Sequence, residues 1–258
     1  MSSLAISGIV FGCIVGGVLL GMILRALLPE KHLSAETKGI VNLGMGLIGT
    51  MTALVLGLLI ASAKSSFDAQ RNGLAQLSGN VIFLDRALAH YGPESKEARD
   101  MLRASVADML QNTWPEENPE PGQRKERSAT EGKYEGLYEK IQQLTPKNDA
   151  QRAFQAQAMK TMGDMAQARW LLFSQKGSSI PTPFLVVMVA WLTVILLSFS
   201  MFAPPNAAVF ITLLICALAV TSAIFLVLEL DRPFDGMLKV SSAPVRNAQA
   251  QLLETEVF

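Results

Sequence analysis

The chain has 258 residues, half of them hydrophobic and only 17% charged, with a mean hydropathy of +0.31. Such a composition excludes a disordered chain and argues against an ordinary soluble enzyme. The 22 basic and 22 acidic side chains cancel, so no net charge draws the protein toward nucleic acid.

The charges are unevenly placed. Sixteen of the 22 basic and 15 of the 22 acidic side chains fall between Lys64 and Lys176. Outside that segment lie four charge-free stretches: Leu4 to Leu24, Gly39 to Ala63, about Ile180 to Ala203, and about Ala207 to Leu228. Each is long enough to cross about 30 Å of hydrocarbon as a helix. Backbone groups in lipid must be satisfied internally, which makes each stretch helical. The segment MSSLAIS has no Lys or Arg, and the apolar run after it is too long for a signal-peptide core, so the first span is read as an anchor. Pro29 ends it. The third and fourth spans are joined by APPN, from Ala203 to Asn206, a tight hairpin.

The pattern predicts an all-α integral membrane protein: four transmembrane helices with a cytoplasmic helical insert between the second and third. The expected segments are a first hairpin over 1–63, the insert over 64–179, a second hairpin over 180–229 and a cytoplasmic C-terminal segment over 230–258. Orientation follows from flanking basic residues. A cytoplasmic N-terminus places Lys64, Arg71, Arg169, Lys176, Arg232, Lys239 and Arg246 inside. The reverse places only Arg25, Lys31 and Lys38 there. The expected location is the cytoplasmic membrane, with both termini inside.

Within the insert, Leu74, Leu77, Val81, Leu84, Leu88 and Tyr91 follow alternating spacings of three and four, a helical stripe that Gly92-Pro93 ends. No stop lies between Ala61 and Leu88, so the second span is expected to continue as one long helix. Glu94 to Trp114 carries Leu102, Val106, Met109 and Leu110 on one side. PEENPEPGQRKERSAT, residues 115–130, reads as an exposed loop. Tyr134, Leu137, Ile141 and Leu144 resume the helical spacing, as do Phe154, Ala158, Met162, Met165 and Leu172 in a helix leading toward the third span.

No P-loop, GxSxG, HExxH or CxxC signature is present. Cys13 and Cys216 lie in apolar runs and read as small hydrophobes; His32 and His90 read as surface residues. The protein is expected not to be an enzyme, and no resident cofactor or metal is expected. Three features carry the functional reading. The second span, GIVNLGMGLIGTMTALVLGLLIASA, has small residues at spacing four: Gly49, Ala53, Gly57 and Ala61. Small residues permit close helix packing; they also leave room along a pore. On the pore reading, Asn42, Gly46, Gly49, Thr50, Met51, Ala53, Val55 and Gly57 line it. Asn42 and Thr50 offer hydrogen bonds to a permeant ion, and Met51, Val55 or Leu54 forms a hydrophobic gate.

The second feature is LELDRPFDG, where Glu229, Asp231 and Asp235 put three carboxylates at the exit of the fourth span. Pro233 ends the helix and Arg232 pairs with a carboxylate or a phosphate head group; alternatively the carboxylates contact a hard cation such as Ca²⁺ or take part in gating. The third is FLDRALAHYGPESKEARDMLR, where Asp85 and Arg86 interrupt an apolar helix. Arg86 is placed to bond Asp100 or a neighbouring subunit, or to form a solvated pair on the outer face.

These parts together resemble the bestrophin-like family of bacterial membrane proteins. The resemblance rests on the small-residue-rich second span running into FDAQRNGLAQLSGNVIFLDRALAHYGPE, on the helical insert, and on ELDRPFDG after the fourth span. It covers nearly the whole chain except the 115–130 loop. The family is distantly similar to true bestrophins, pentameric chloride or cation channels whose second span lines the pore through a hydrophobic neck and whose acidic post-membrane segment holds Ca²⁺. The resemblance implies a homo-oligomer and a pore along this second span; Asp85, Arg86, Arg232, Pro233 and Phe234 are read as structural interface residues. Its partners would be further copies of itself, the bilayer and permeant ions, with no nucleic acid. Here the acidic run is shorter than a bestrophin calcium clasp, and the second span has no aromatic ladder. Two other classes fit four spans with a large insert. One is a stator-like energy transducer with Thr193, Thr212 and Thr221 lining a ring; the other is a non-conducting scaffold.

Overall fold

The structure, a computed structural model, describes residues 2–29, 34–115, 127–174, 182–204, 206–234 and 236–254. Among these, every regular element is helical: α1 (Ser3–Leu27), α2 (Ala35–Tyr91), α3 (Lys96–Thr113), α4 (Arg127–Gln142), α5 (Asp149–Ser174), α6 (Thr182–Phe202), α7 (Ala207–Leu230) and α8 (Ala243–Glu254). A 3₁₀ turn over Pro93–Ser95 precedes α3. The four expected spans are the four helices long and apolar enough to cross a membrane.

Helix ends follow local chemistry. Ser2 Oγ accepts from the Ala5 amide at 3.3 Å, and Ser34 Oγ from the Thr37 amide at 3.3 Å. Asn148 and Asn206 do the same for α5 and α7. Each side chain satisfies an amide that the first helical turn leaves orphaned. The first helix stops before Pro29, whose ring disfavours helical geometry in the residue ahead of it.

The chain divides into two compact units, residues 1–67 with 178–238 and residues 68–177 with 239–258. In the first, α1 packs on α6 and α7. Val10, Ile14 and Val18 of α1, Met188, Leu192 and Leu196 of α6, and Leu213, Ala217, Ile224 and Leu228 of α7 form the core. The repeat of four within α1 and α6 puts each set on one stripe. Two glycines set the α1–α6 distance. A Cβ on Gly17 would lie 2.6 Å from Thr193 Cγ2, and one on Gly21 would collide with Ser200 Oγ and the Leu197 carbonyl. Small residues let membrane helices approach this closely.

In the second unit the predicted stripes are buried: Leu74, Leu77, Val81, Leu84, Leu88 and Tyr91 of α2, Leu102, Val106 and Leu110 of α3, Leu137 and Ile141 of α4, and Ala158, Met162, Met165 and Leu172 of α5. Met109, Tyr134, Leu144 and Phe154 are half-buried. His90 is exposed and stacks on Phe154; His32 lies outside the described residues. Burial pushes the Tyr134 phenol up, while the Arg169 guanidinium over its ring pulls it down and Asp108 raises it. On the surface, Lys147 bonds Glu94 at 2.6 Å, which lowers the Glu94 carboxyl and raises the Lys147 ammonium.

The break between α2 and α3 is a conformational requirement. Gly92 has φ 124°, a region closed to side chains. Gly92→Ala is expected to destabilise the protein by about 1–3 kcal/mol, read as a lower thermal midpoint of the detergent-solubilised protein. An unchanged midpoint would contradict the assigned backbone.

The segment after the fourth span contains a helix with no counterpart in the expectations above. In α8, Val245, Ala248 and Leu252 are buried, and their three–four spacing was the available signal. The helix packs on α3. Trp114 Nε1 donates to the Val240 carbonyl at 2.9 Å and Arg103 Nη2 to the Leu252 carbonyl at 2.9 Å. The expected 115–130 loop is corrected at its end, because residues 127–130 already belong to α4; 116–126 lie outside the described residues.

Candidate pore helix and its surroundings

Helix α2 is unbroken over 57 residues, about 85 Å at 1.5 Å per residue. That is well over twice a hydrocarbon core. Its apolar half is the least covered of the four spans: 6% of its best membrane window is buried, against 33% for each of the others. One row faces the bundle. Thr52 and Ala63 are buried, and Leu56 and Leu59 pack on the core. The Thr52 hydroxyl donates to the Ile48 carbonyl at 2.7 Å, which satisfies its proton without a partner on another helix.

The rest of that half is open. Asn42, Gly46, Thr50, Met51, Ala53 and Gly57 are exposed, and Gly49 and Val55 are half-buried. At about 100° per residue these do not share one face: Met51 and Ala53 stand about 200° apart. Asn42, Gly46, Gly49, Ala53 and Gly57 form a small, partly polar flank. Leu47, Met51 and Leu58 form a bulky flank on the other side. Between them, opposite the bundle-facing row, lie Leu43, Thr50, Leu54 and Ala61. Leu43 is 78% exposed and Leu54 66%. Leu43, Leu47 and Leu58 have no place in the sequence-based site; uniform hydrophobicity hides which leucines are covered, and only the packing row at Thr52, Leu56, Leu59 and Ala63 separates them.

The glycines divide in the same way. Gly39, Gly44, Gly46, Gly49 and Gly57 would meet nothing within 4 Å of an added Cβ, in contrast to Gly17 and Gly21 of α1. Close packing within the subunit therefore explains Gly17 and Gly21, and not Gly8, Gly12 and Gly16 of the first span or the glycines of the second. The Thr50 hydroxyl donates to the Leu47 carbonyl at 2.8 Å, which leaves its lone pairs facing outward.

At the exit of α7, Glu229 and Asp231 are placed differently. Glu229 is buried, and its Oε2 accepts from the Met237 and Leu238 amides. A Cβ on Gly236 would collide with that oxygen, so the turn closes directly over it. Asp231 caps α7, its amide bonded to the Val227 carbonyl at 3.2 Å. Pro233 is buried, Arg232 and Phe234 are half-buried, and Asp235 lies outside the described residues. Among the described residues no group of three His, Cys, Asp or Glu is placed to hold a metal. Glu229 Oε2 is engaged by the amides of the turn.

The third feature also differs from its expected pairing. Asp85, not Arg86, is the buried member. Arg99 of α3 donates to it through Nε at 2.8 Å and Nη2 at 3.1 Å. Arg86 is exposed, and Asp100 is taken by Arg103 at 3.4 Å. The helical phase explains this: the register that buries Leu84, Leu88 and Tyr91 carries Asp85 inward and turns Arg86 out. Thr193, Thr212 and Thr221 do not make one row. Thr193 packs against Gly17, Thr212 is exposed and bonds the Ala208 carbonyl, and Thr221 is buried. Cys13 and Cys216 are free thiols on the exposed sides of their helices.

The Bestrophin-like domain profile matches residues 12–245. Among curated proteins nothing matches. Among solved structures, two point variants of a bacterial bestrophin homolog from Klebsiella pneumoniae are similar. One has a TM-score of 0.66 at 16% identity, covering 95% of this chain and 98% of that one. The other has 0.67 at 15%, covering 95% and 99%. A variant of a membrane protein of unstated source gives 0.67 at 15%, covering 94% and 96%. Four apolar helices, the glycine-lined second span and the closed turn after the fourth thus occur on a bestrophin fold, and the chain belongs to the Bestrophin-like family.

Proposed function

We propose that the protein is a homo-oligomeric, pentameric ion channel of the cytoplasmic membrane in which α2 lines the central pore. The observation that carries this is the unshared open side of α2. A Cβ on its glycines would meet nothing within 4 Å in their own subunit, and Leu43 and Leu54 are mostly exposed, so a ring of copies gives that side both neighbours and an axis. Asn42 and the outward lone pairs of Thr50 supply hydrogen-bonding rings to a partly dehydrated ion. A ring of Leu54 or Met51, with Val55 beside it, supplies an aliphatic constriction that gates by dewetting. The termini and the insert lie on the cytoplasmic side, as the flanking Lys and Arg favour.

The test is a planar-bilayer recording of the purified oligomer under a KCl gradient, with and without Ca²⁺. Single-channel steps with a defined reversal potential are the expected result. Met51→Ala or Val55→Ala is expected to raise unitary conductance; unchanged currents would remove those side chains from the constriction. A silent bilayer from an intact oligomer would overturn the channel reading.

A further inference from the structure

A small cavity of about 50 Å³ lies where α1 and α6 end and α7 begins. Its walls carry Met22, Val209, Phe210 and Leu213, and three polar residues, Arg25, Ser200 and Asn206. The polar groups are not equivalent. The Ser200 proton is donated to the Leu197 carbonyl at 2.9 Å, and Asn206 Oδ1 accepts from the Ala208 amide at 3.2 Å. What remains for a ligand is the Arg25 guanidinium and the Asn206 amide NH₂, both donors. Among the described residues no carboxylate lines the cavity and no ion pair engages Arg25. A cation and a neutral donor over an apolar floor select an anion with an apolar tail.

The position narrows the class further. Helix α7 is 24 residues long and α6 is 21, close to one hydrocarbon thickness, so their shared end lies at head-group depth. No residue of α2 takes part in the lining. At head-group depth the anion in high local concentration is the phosphodiester, and Arg binds phosphate oxygens in a bidentate fork. The enclosed space suits the head of such a molecule and not its chains, which would run along Val209 and Phe210. We propose that this cavity is a phospholipid site, in which Arg25 holds the phosphodiester and Asn206 assists. The inference rests on the membrane placement of the four helices and is independent of the pore.

The experiment is native mass spectrometry of the detergent-solubilised full-length oligomer, titrated with palmitoyl-oleoyl phosphatidylglycerol. The wild-type protein is expected to retain discrete lipid adducts that dioleoylglycerol, which lacks the phosphate, does not give. Arg25→Gln is expected to weaken adduct formation at least about tenfold, the size of a lost charge-assisted hydrogen bond, and Arg25→Lys to weaken it less. Val209→Trp fills the cavity while keeping the cation and is expected to show the same loss. Size-exclusion elution of each variant as an intact oligomer guards against misfolding, and either variant alone suffices. Equal retention by wild type and an intact variant would overturn the site. So would displacement of the lipid by millimolar inorganic phosphate, which would mark a free-anion site instead.

Discussion

Asp85→Ala is expected to lower the unfolding free energy by about 3–5 kcal/mol, or to abolish recovery of the folded protein. The Asp85 side chain is only 3% exposed, and Arg99, which grips both its oxygens, is 16% exposed. Removing the carboxylate takes two charge-assisted hydrogen bonds from a guanidinium in a poorly solvated position. Breaking a buried pair costs more than the net worth of the pair itself. The distinction is measurable. Asp85→Leu combined with Arg99→Met should recover much of the deficit, because two apolar side chains need no partner. The readout is the thermal midpoint in detergent. A double variant as unstable as Asp85→Ala would show that the pair is stabilising in its own right. An Asp85→Ala protein of normal stability would remove Asp85 from the core.

Gly21→Val is expected to separate α1 from α6 and to cost about 1–3 kcal/mol or more. Even a Cβ at this position meets Ser200 Oγ and the Leu197 carbonyl, and the carbonyl carbon itself would be 3.2 Å away. Ser200 can rotate, but the Leu197 backbone cannot. Gly46→Val supplies the contrast, since nothing within its own subunit approaches it. The expected pattern is loss of monomeric stability for Gly21→Val, and an intact subunit with altered assembly or conductance for Gly46→Val. Thermal midpoints together with oligomer elution separate the two. If Gly46→Val destabilised the subunit as strongly as Gly21→Val, the two glycine sets would not have distinct roles.

Much of this architecture is legible in residue order, for physical reasons. A charge-free run of twenty residues has one stable conformation in lipid, so the four spans follow from composition. The stripes from Leu74 to Tyr91 and from Leu137 to Ile141 are legible because one face is buried and the other is not. The fused α2 is legible because no proline or cap interrupts Ala61 to Leu88. Within the spans the periodic signal disappears. Lipid and protein interior are both apolar, so Leu43 and Leu56 look alike in sequence although only Leu56 is packed on the core. The same blindness affects the glycines, because spacing states that a helix is thin on one side and not what lies there. The pairing of Asp85 with Arg99 is hidden in the sequence for a different reason. Adjacent residues differ by about 100° of rotation, and which one points inward depends on a register that α3 completes. Glu229 was visible as an acid, but its amide partners arise only when the chain turns back at Gly236.

The bonds from α3 to the end of the chain also fix an order of events during synthesis. Trp114 waits for a carbonyl 126 residues further on, and Arg103 for one 149 residues on. At about 5–20 residues per second, those acceptors leave the ribosome roughly 6–30 s after the helix that needs them. During that interval the two remaining apolar helices are made while α3 has no α8 to pack on it. The second unit therefore completes its packing only after α7 has been made. A chain interrupted before residue 240 would have all four apolar helices and a second unit without the bonds from Trp114 and Arg103.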